Sequence, residues 1–157
     1  PQVIARTGVD LAPLDPVADR LRLLAYLWAD QPQRMTLTRA ALDLATTLKP
    51  QVDRADAGDW LDRRLATLQD GTLHLVYHTI AWQYFPPATR AKALAAFDRA
   101  GASATPASPL ARLQMEGDGT TPGAAITLTL WPGGQVIPLG RVDFHGRWVD
   151  WQATLLP

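Results

Sequence analysis

The chain has 157 residues, 47% of them hydrophobic and 19% charged, and its 15 Lys and Arg balance 15 Asp and Glu. Such a length supports one domain with a substantial core. A net charge of zero without a basic stripe argues against nucleic-acid binding, where phosphate neutralisation supplies much of the affinity. No apolar run approaches the ~18 residues of a membrane span, and the absence of cysteine removes thiol nucleophiles and cysteine zinc sites.

The elements follow in order. "QVIARTGV" (2–9) reads as a short strand. A helix is predicted from about Pro16 to Trp28, with Asp15 as N-cap, Pro16 at the first helical position, and Val17, Leu21, Leu24 and Trp28 on one face. A second helix runs from near Pro32 to Leu48, where Lys49–Pro50 stops it; Leu37, Ala41, Leu44 and Leu48 form its apolar set. "QVDRAD" is a weak strand candidate. The helix "GDWLDRRLATL" follows, capped by Asp56 or Asp59. "TLHLVYHTIAW" is the most strand-like run present, and its apolar character predicts cover on both faces. Pro86–Pro87 opens a further helix that ends at Gly101.

Residues 102–157 change character. "PLARLQME", "AAITLTLW", "QVIPLGRVDF" and "RWVDWQATL" are four β-type runs separated by Gly- and Pro-rich turns. The reading is therefore α/β: β-α units over 1–101, with helices on a partly parallel sheet, then an antiparallel meander over 102–157 that extends the same sheet as part of a single domain. The chain starts at Pro1 with strand-like residues, which suggests part of a longer protein. No charged n-region followed by an apolar h-region is visible, and Arg and Ala richness suggests a bacterial, cytoplasmic origin.

In open α/β sheets, ligands bind beyond the carboxyl ends of strands. Asp10, Asp56 and the segment after His78 occupy such positions. An acid after the first strand can accept hydrogen bonds from ribose hydroxyls; the plainer account of both aspartates is local turn and cap formation. His74 and His78 share a face of a strand but lie roughly 13 Å apart, too far to hold one ion. His78, at the strand's end, is the better candidate for acid-base or polar contact work, against the plain reading of a satisfied structural histidine. Trp82 and Tyr84 stand where that strand gives way to a loop; they stack on a planar ligand or close the core's end. "GASAT" lacks the second glycine and the preceding strand of a nucleophile elbow, and "LWPGG" is more simply a hairpin turn. No Walker loop or GxGxxG occurs.

Two resemblances add to this. "GVDLAPLDP", "QVDRADAGDWL" and "LHLVYHTIAWQYFPP" resemble successive landmarks of class I S-adenosylmethionine-dependent methyltransferases. That likeness implies a Rossmann-like fold, with Asp10 on the cofactor's ribose, Asp56 near its adenine, and His78, Trp82 and Tyr84 lining the reaction cleft. The glycine-rich loop of those enzymes is missing and would lie upstream of Pro1. S-adenosylmethionine is therefore expected to bind the intact protein and to bind this stretch weakly. The second and more extensive resemblance is carried by "GVDLAPLD", "WADQPQR", "LVYHTIAWQYFPP", "LWPGG" and "DFHGRWVDW". It is to an uncharacterised bacterial family, domain of unknown function 2332, whose members are about twice this long; this sequence is similar to their C-terminal half. The alternative function is a non-catalytic domain for a small-molecule ligand or a protein partner on the same fold.

Overall fold

A parallel strand pair needs a long crossover, and the first part of the chain is built around one. The computed structural model describes residues 2–153, which fall into two units, Pro1–Ala57 and Gly58–Pro157. In the first, β1 (Gly8–Asp10) pairs in parallel with β2 (Val52–Arg54), with Gly8 opposite Val52 and Asp10 opposite Arg54. The crossover contains α1 (Arg20–Ala25) and α2 (Pro32–Leu48).

The first helix is much shorter than its periodicity predicts. Asp15 does act on the chain start: its Oδ1 accepts the amides of Val17 and Ala18, both at 2.8 Å. Those bonds hold residues 16–19 as turn, and regular helix begins only at Arg20. In contrast α2 has its predicted ends. Pro32 sits at its start, and Lys49 leaves it in the left-handed region (φ 47°) while donating to the Ala45 carbonyl. Pro50 explains the stop, because a residue before proline is disfavoured in the helical region. Of the apolar set expected on the first helix only Leu21 and Leu24 lie in α1, Leu21 being 83% exposed and Leu24 half-buried; Trp28, beyond its end, is 72% exposed, and Leu37 and Leu44 of α2 are exposed too. Leu42 is the one buried hydrophobic residue among those described in this unit.

The second unit opens with α3 (Ala57–Arg64), which reaches back one residue across the division. Then come β3 (His74–Thr79), a 3-10 turn (Trp82–Tyr84), α4 (Pro87–Ser103), and the strands β4 (Leu110–Glu116), β5 (Ala124–Trp131), β6 (Gln135–Val142) and β7 (Val149–Trp151). They form one sheet in the order β3-β4-β5-β6-β7, with β3 and β4 parallel and the other neighbours antiparallel. The meander is as predicted, although the end of the last β-type run lies outside the described residues.

The expectation of one continuous sheet needs correction. The third predicted strand does join the meander, through the β3–α4–β4 crossover, but among the described residues β1 and β2 pair only with each other. The expectation that β3 is covered on both faces fails as well. Its residues alternate, with His74, Val76 and His78 half-buried and Leu75 and Tyr77 exposed. The helical side chains in the core cluster (Leu61, Ala93, Ala96, Phe97 and Ala100) pack on the sheet face that carries Val76, Leu110 and Trp131. Phe97 is central there, lying parallel to the Trp131 ring at 6.0 Å between centroids. Gly101 is required at this crossing, because a Cβ on it would run into the Trp131 indole.

Candidate functional site

Parallel register between β3 and β4 sets His78 opposite Gln114. Side chains alternate across a strand, so Arg112 and Glu116 flank Gln114 on that same face, one on each side of His78. The imidazole bridges them. Its Nδ1 is 2.6 Å from Glu116 Oε1, and its Nε2 is 3.1 Å from both Nε and Nη2 of Arg112. Because guanidinium can only donate, the network assigns the proton to Nδ1, donating to Glu116, and leaves Nε2 as acceptor.

The carboxylate is held from a second direction. Glu116 Oε1 also accepts the amides of Ala81 and Trp82, each at 3.1 Å. Those amides are aimed by a sharp turn: Ile80, a β-branched residue, stands at φ 48° and donates its amide to the Met115 carbonyl. A β-branched residue at positive φ is strained, and such strain persists where the surroundings over-determine it. The other carboxylate oxygen, Glu116 Oε2, is buried and has no hydrogen-bond partner among the described residues.

Trp82 closes the cluster. Its ring stacks on His78 at 5.6 Å between centroids, and the Arg112 guanidinium carbon sits 4.4 Å from the Trp82 ring centroid and 4.9 Å from that of Phe97. Arg112 is thus a cation held by aromatic faces. Burial pushes the His78 imidazole below its ordinary value; the bond to Glu116 pulls it back up, and the nearby Arg112 charge pushes it down again. Burial also lowers the Arg112 guanidinium, and Glu116 opposes that shift. His78 is accordingly a neutral ring with both nitrogens engaged. It can orient and transmit polarity as it stands, and it can take a proton only after releasing Arg112.

A groove of about 490 Å³ lies beside this cluster, with Trp82, Arg112, Gln114, Glu116, Asp118 and Thr127 on its walls. The Asp118 wall is fixed by Arg141, which donates to both Asp118 oxygens and to the carbonyls of Thr120, Pro122 and Gly123.

The family described as "uncharacterized protein conserved in bacteria (DUF2332)" matches residues 1–151. The chain belongs to this family. No curated protein and no solved structure matches it. In this DUF2332 chain no helix of the described residues is long and apolar enough to cross a membrane, and no group of three or more His, Asp or Glu among them is placed to hold a metal ion.

The sequence-predicted residues are distributed as follows. His78 and Trp82 belong to one cluster. Tyr84, two residues on, is 74% exposed on the 3-10 turn. Asp10 ends β1, exposed, and its Oδ1 accepts the Ala12 amide at 2.7 Å, which is the turn-forming role weighed for it. Asp56 stands between β2 and α3, directly before the first helical residue. Sequence reasoning missed Arg112 and Glu116. A signal was present for the second: it is the chain's only glutamate, at the end of a predicted strand beside Gly117. Nothing in the order of residues announces that Arg112 lies opposite a strand more than thirty positions earlier.

Proposed function

We propose that this chain is part of a Rossmann-like, S-adenosylmethionine-dependent methyltransferase-like protein, acting in its intact form on an acceptor of unassigned identity. The observation that carries this reading is the polarity of the parallel strands. Parallel pairing of β1 and β2 brings Asp10 and Asp56 to the carboxyl end of one strand pair, and ligands of α/β sheets bind at such ends. The β3–α4–β4 crossover repeats the pattern, with His78 near the carboxyl end of β3 and Glu116 ending β4. In this reading Asp10 accepts the ribose hydroxyls and Asp56 contacts the adenine, both at the strand ends of the first unit. Titration calorimetry of the intact protein tests it. Saturable binding of S-adenosylmethionine or S-adenosylhomocysteine, weakened at least tenfold by Asp10→Ala, is expected; no detectable heat with either compound would sink the reading.

A second reading, a non-catalytic ligand-binding domain, is favoured by one specific observation. Both nitrogens of His78 are already engaged, by Glu116 and Arg112, so His78 does not present a free general base. Under it, His78→Gln leaves any turnover of the intact protein unchanged, whereas loss of turnover returns the lead to the enzyme.

A further inference from the structure

Arg112 is a half-buried cation without a direct counter-charge. Its Nε and Nη2 donate to a neutral imidazole, and its guanidinium lies against the Trp82 and Phe97 rings. The Lys and Arg ion pairs of the second unit, among the described residues, are made by Lys92, Arg99, Arg141 and Arg147. Arg112 makes none, and Glu116 acts on it only from the far side of the His78 ring. A charge enclosed by protein is ordinarily paired, so this guanidinium calls for an anion that the chain does not place on it.

The groove beside it has the donors to hold one. Arg112 Nη1 is left over from the bonds to His78 and, unlike Glu116 Oε2 and Thr127 Oγ1, it is not enclosed. The side-chain amide of Gln114 is likewise open and without a partner among the described residues. Gln114 stands two residues further along β4 on the same face, and both residues line the groove. Two such positions are roughly 7 Å apart, a span that one carboxylate bridges with a hydrogen bond on each oxygen. The groove's own carboxylates do not compete for these donors. Arg141 engages both oxygens of Asp118, and Glu116 Oε1 already serves His78 and two amides.

A guanidinium nitrogen only donates, so a group facing Nη1 must accept, and charge-assisted bonds of this kind are the stronger ones. Glu116 and Asp118 already bring negative charge to the wall, which favours a singly charged anion over a phosphate dianion. Leu94, exposed on α4 one turn before Phe97, and Ala125 on β5 give the groove apolar sides suited to methylene groups.

We propose that this groove binds the carboxylate of a small aliphatic acid, one oxygen on Arg112 Nη1 and the other on the Gln114 amide, with the alkyl chain against Leu94 and Ala125. This goes beyond the methyltransferase reading and does not rest on it, because the acid is held by this unit's own residues without a cofactor.

The test is a nuclear magnetic resonance titration of the whole chain with sodium butyrate in phosphate-free buffer at constant ionic strength. Butyramide, n-butylamine and inorganic phosphate are the matched probes. Saturable amide shifts confined to residues 112–118 and 125–127 are expected with butyrate, at affinity at least tenfold above that of any other probe. Arg112→Met removes the cation and is expected to abolish the shifts. Gln114→Met removes a side-chain amide that bonds nothing among the described residues, and is expected to weaken butyrate severalfold in a folded protein. It therefore decides the matter even if Arg112→Met does not fold. No saturable shift with butyrate, comparable or tighter binding of any other probe, or undiminished affinity in Gln114→Met would each overturn the proposal. Failure of S-adenosylmethionine to bind would overturn the previous section's reading and leave this one standing.

Discussion

His78 carries a pH dependence whose sign follows from its surroundings. Its folded-state value lies below the ordinary 6.5 because burial disfavours the imidazolium, an effect that the Glu116 bond only partly offsets. His74 is shifted the same way, by burial first and by the charge of Arg64 second. Between the folded and unfolded values the unfolded chain binds more protons, so stability rises with pH there. The contribution is complete above about 6.5 and is lost as pH falls below it. Thermal melts at steps from pH 7.5 to 5 are expected to show a falling midpoint, and His78→Gln is expected to flatten part of that slope; an unchanged slope would contradict the neutral, enclosed ring. Glu116 supports a sharper expectation. Glu116→Ala leaves the His78 Nδ1–H and the amides of Ala81 and Trp82 without their acceptor. Orphaning buried donors costs about 1–3 kcal/mol each at most, and partial access to water reduces the sum, so a loss of about 3 kcal/mol in urea denaturation is expected.

At the scale of elements, α4 crosses β5 closely at Phe97 and Gly101. Phe97 is 2% exposed and contacts both Trp131 and the Arg112 guanidinium. Phe97→Ala is expected to cost about 3–5 kcal/mol, the usual range for a buried aromatic, and to loosen Arg112, visible as a changed Trp fluorescence spectrum before unfolding. Gly101→Ala forces the Trp131 ring to move and is expected to cost about 1–3 kcal/mol, as overpacking does. The turns between the later strands give a second acid window. Arg141 and Arg147 hold Asp118 and Asp143 well below the usual carboxylate range. Their stabilisation is present above the ordinary 3.8 and is lost as pH falls below it, apart from the histidine window. This is also the scale at which the sequence was most informative. Pro32, Lys49–Pro50, Pro87 and the Pro-Gly turns act locally, so α2, α4 and the β5–β6 hairpin could be read from their own residues. The site was legible only in half. His78 and Trp82 are near each other in the chain, whereas Arg112 and Glu116 reach them through β3–β4 register, and register is fixed by packing of the sheet face on α3 and α4.

For the whole molecule, the distribution of burial predicts unequal stability. Stretches with few buried apolar groups open more readily than the core does. In the first unit α1 has no buried residue and α2 has only Leu42, while Leu21, Trp28, Leu37 and Leu44 face solvent. The second unit holds the continuous cluster from Leu61 to Leu110. Periodicity alone could not reveal this imbalance, since an amphipathic stripe reports which side of a helix is apolar and not whether anything covers it. Hydrogen exchange read by mass spectrometry is the direct measurement. Amides of residues 20–48 are expected to exchange at least tenfold faster than those of β4 and β5, despite the regular hydrogen bonding of α2. Equal protection would mean that the apolar stripe of α2 is covered in solution, and the assignment of stability to the second unit alone would then be wrong. If the slow set instead comprises β3 to β6 and α4, the strained turn at Ile80 is held by the most stable part of the chain. The amides of Ala81 and Trp82 would then stay aimed at Glu116 while the first unit opens.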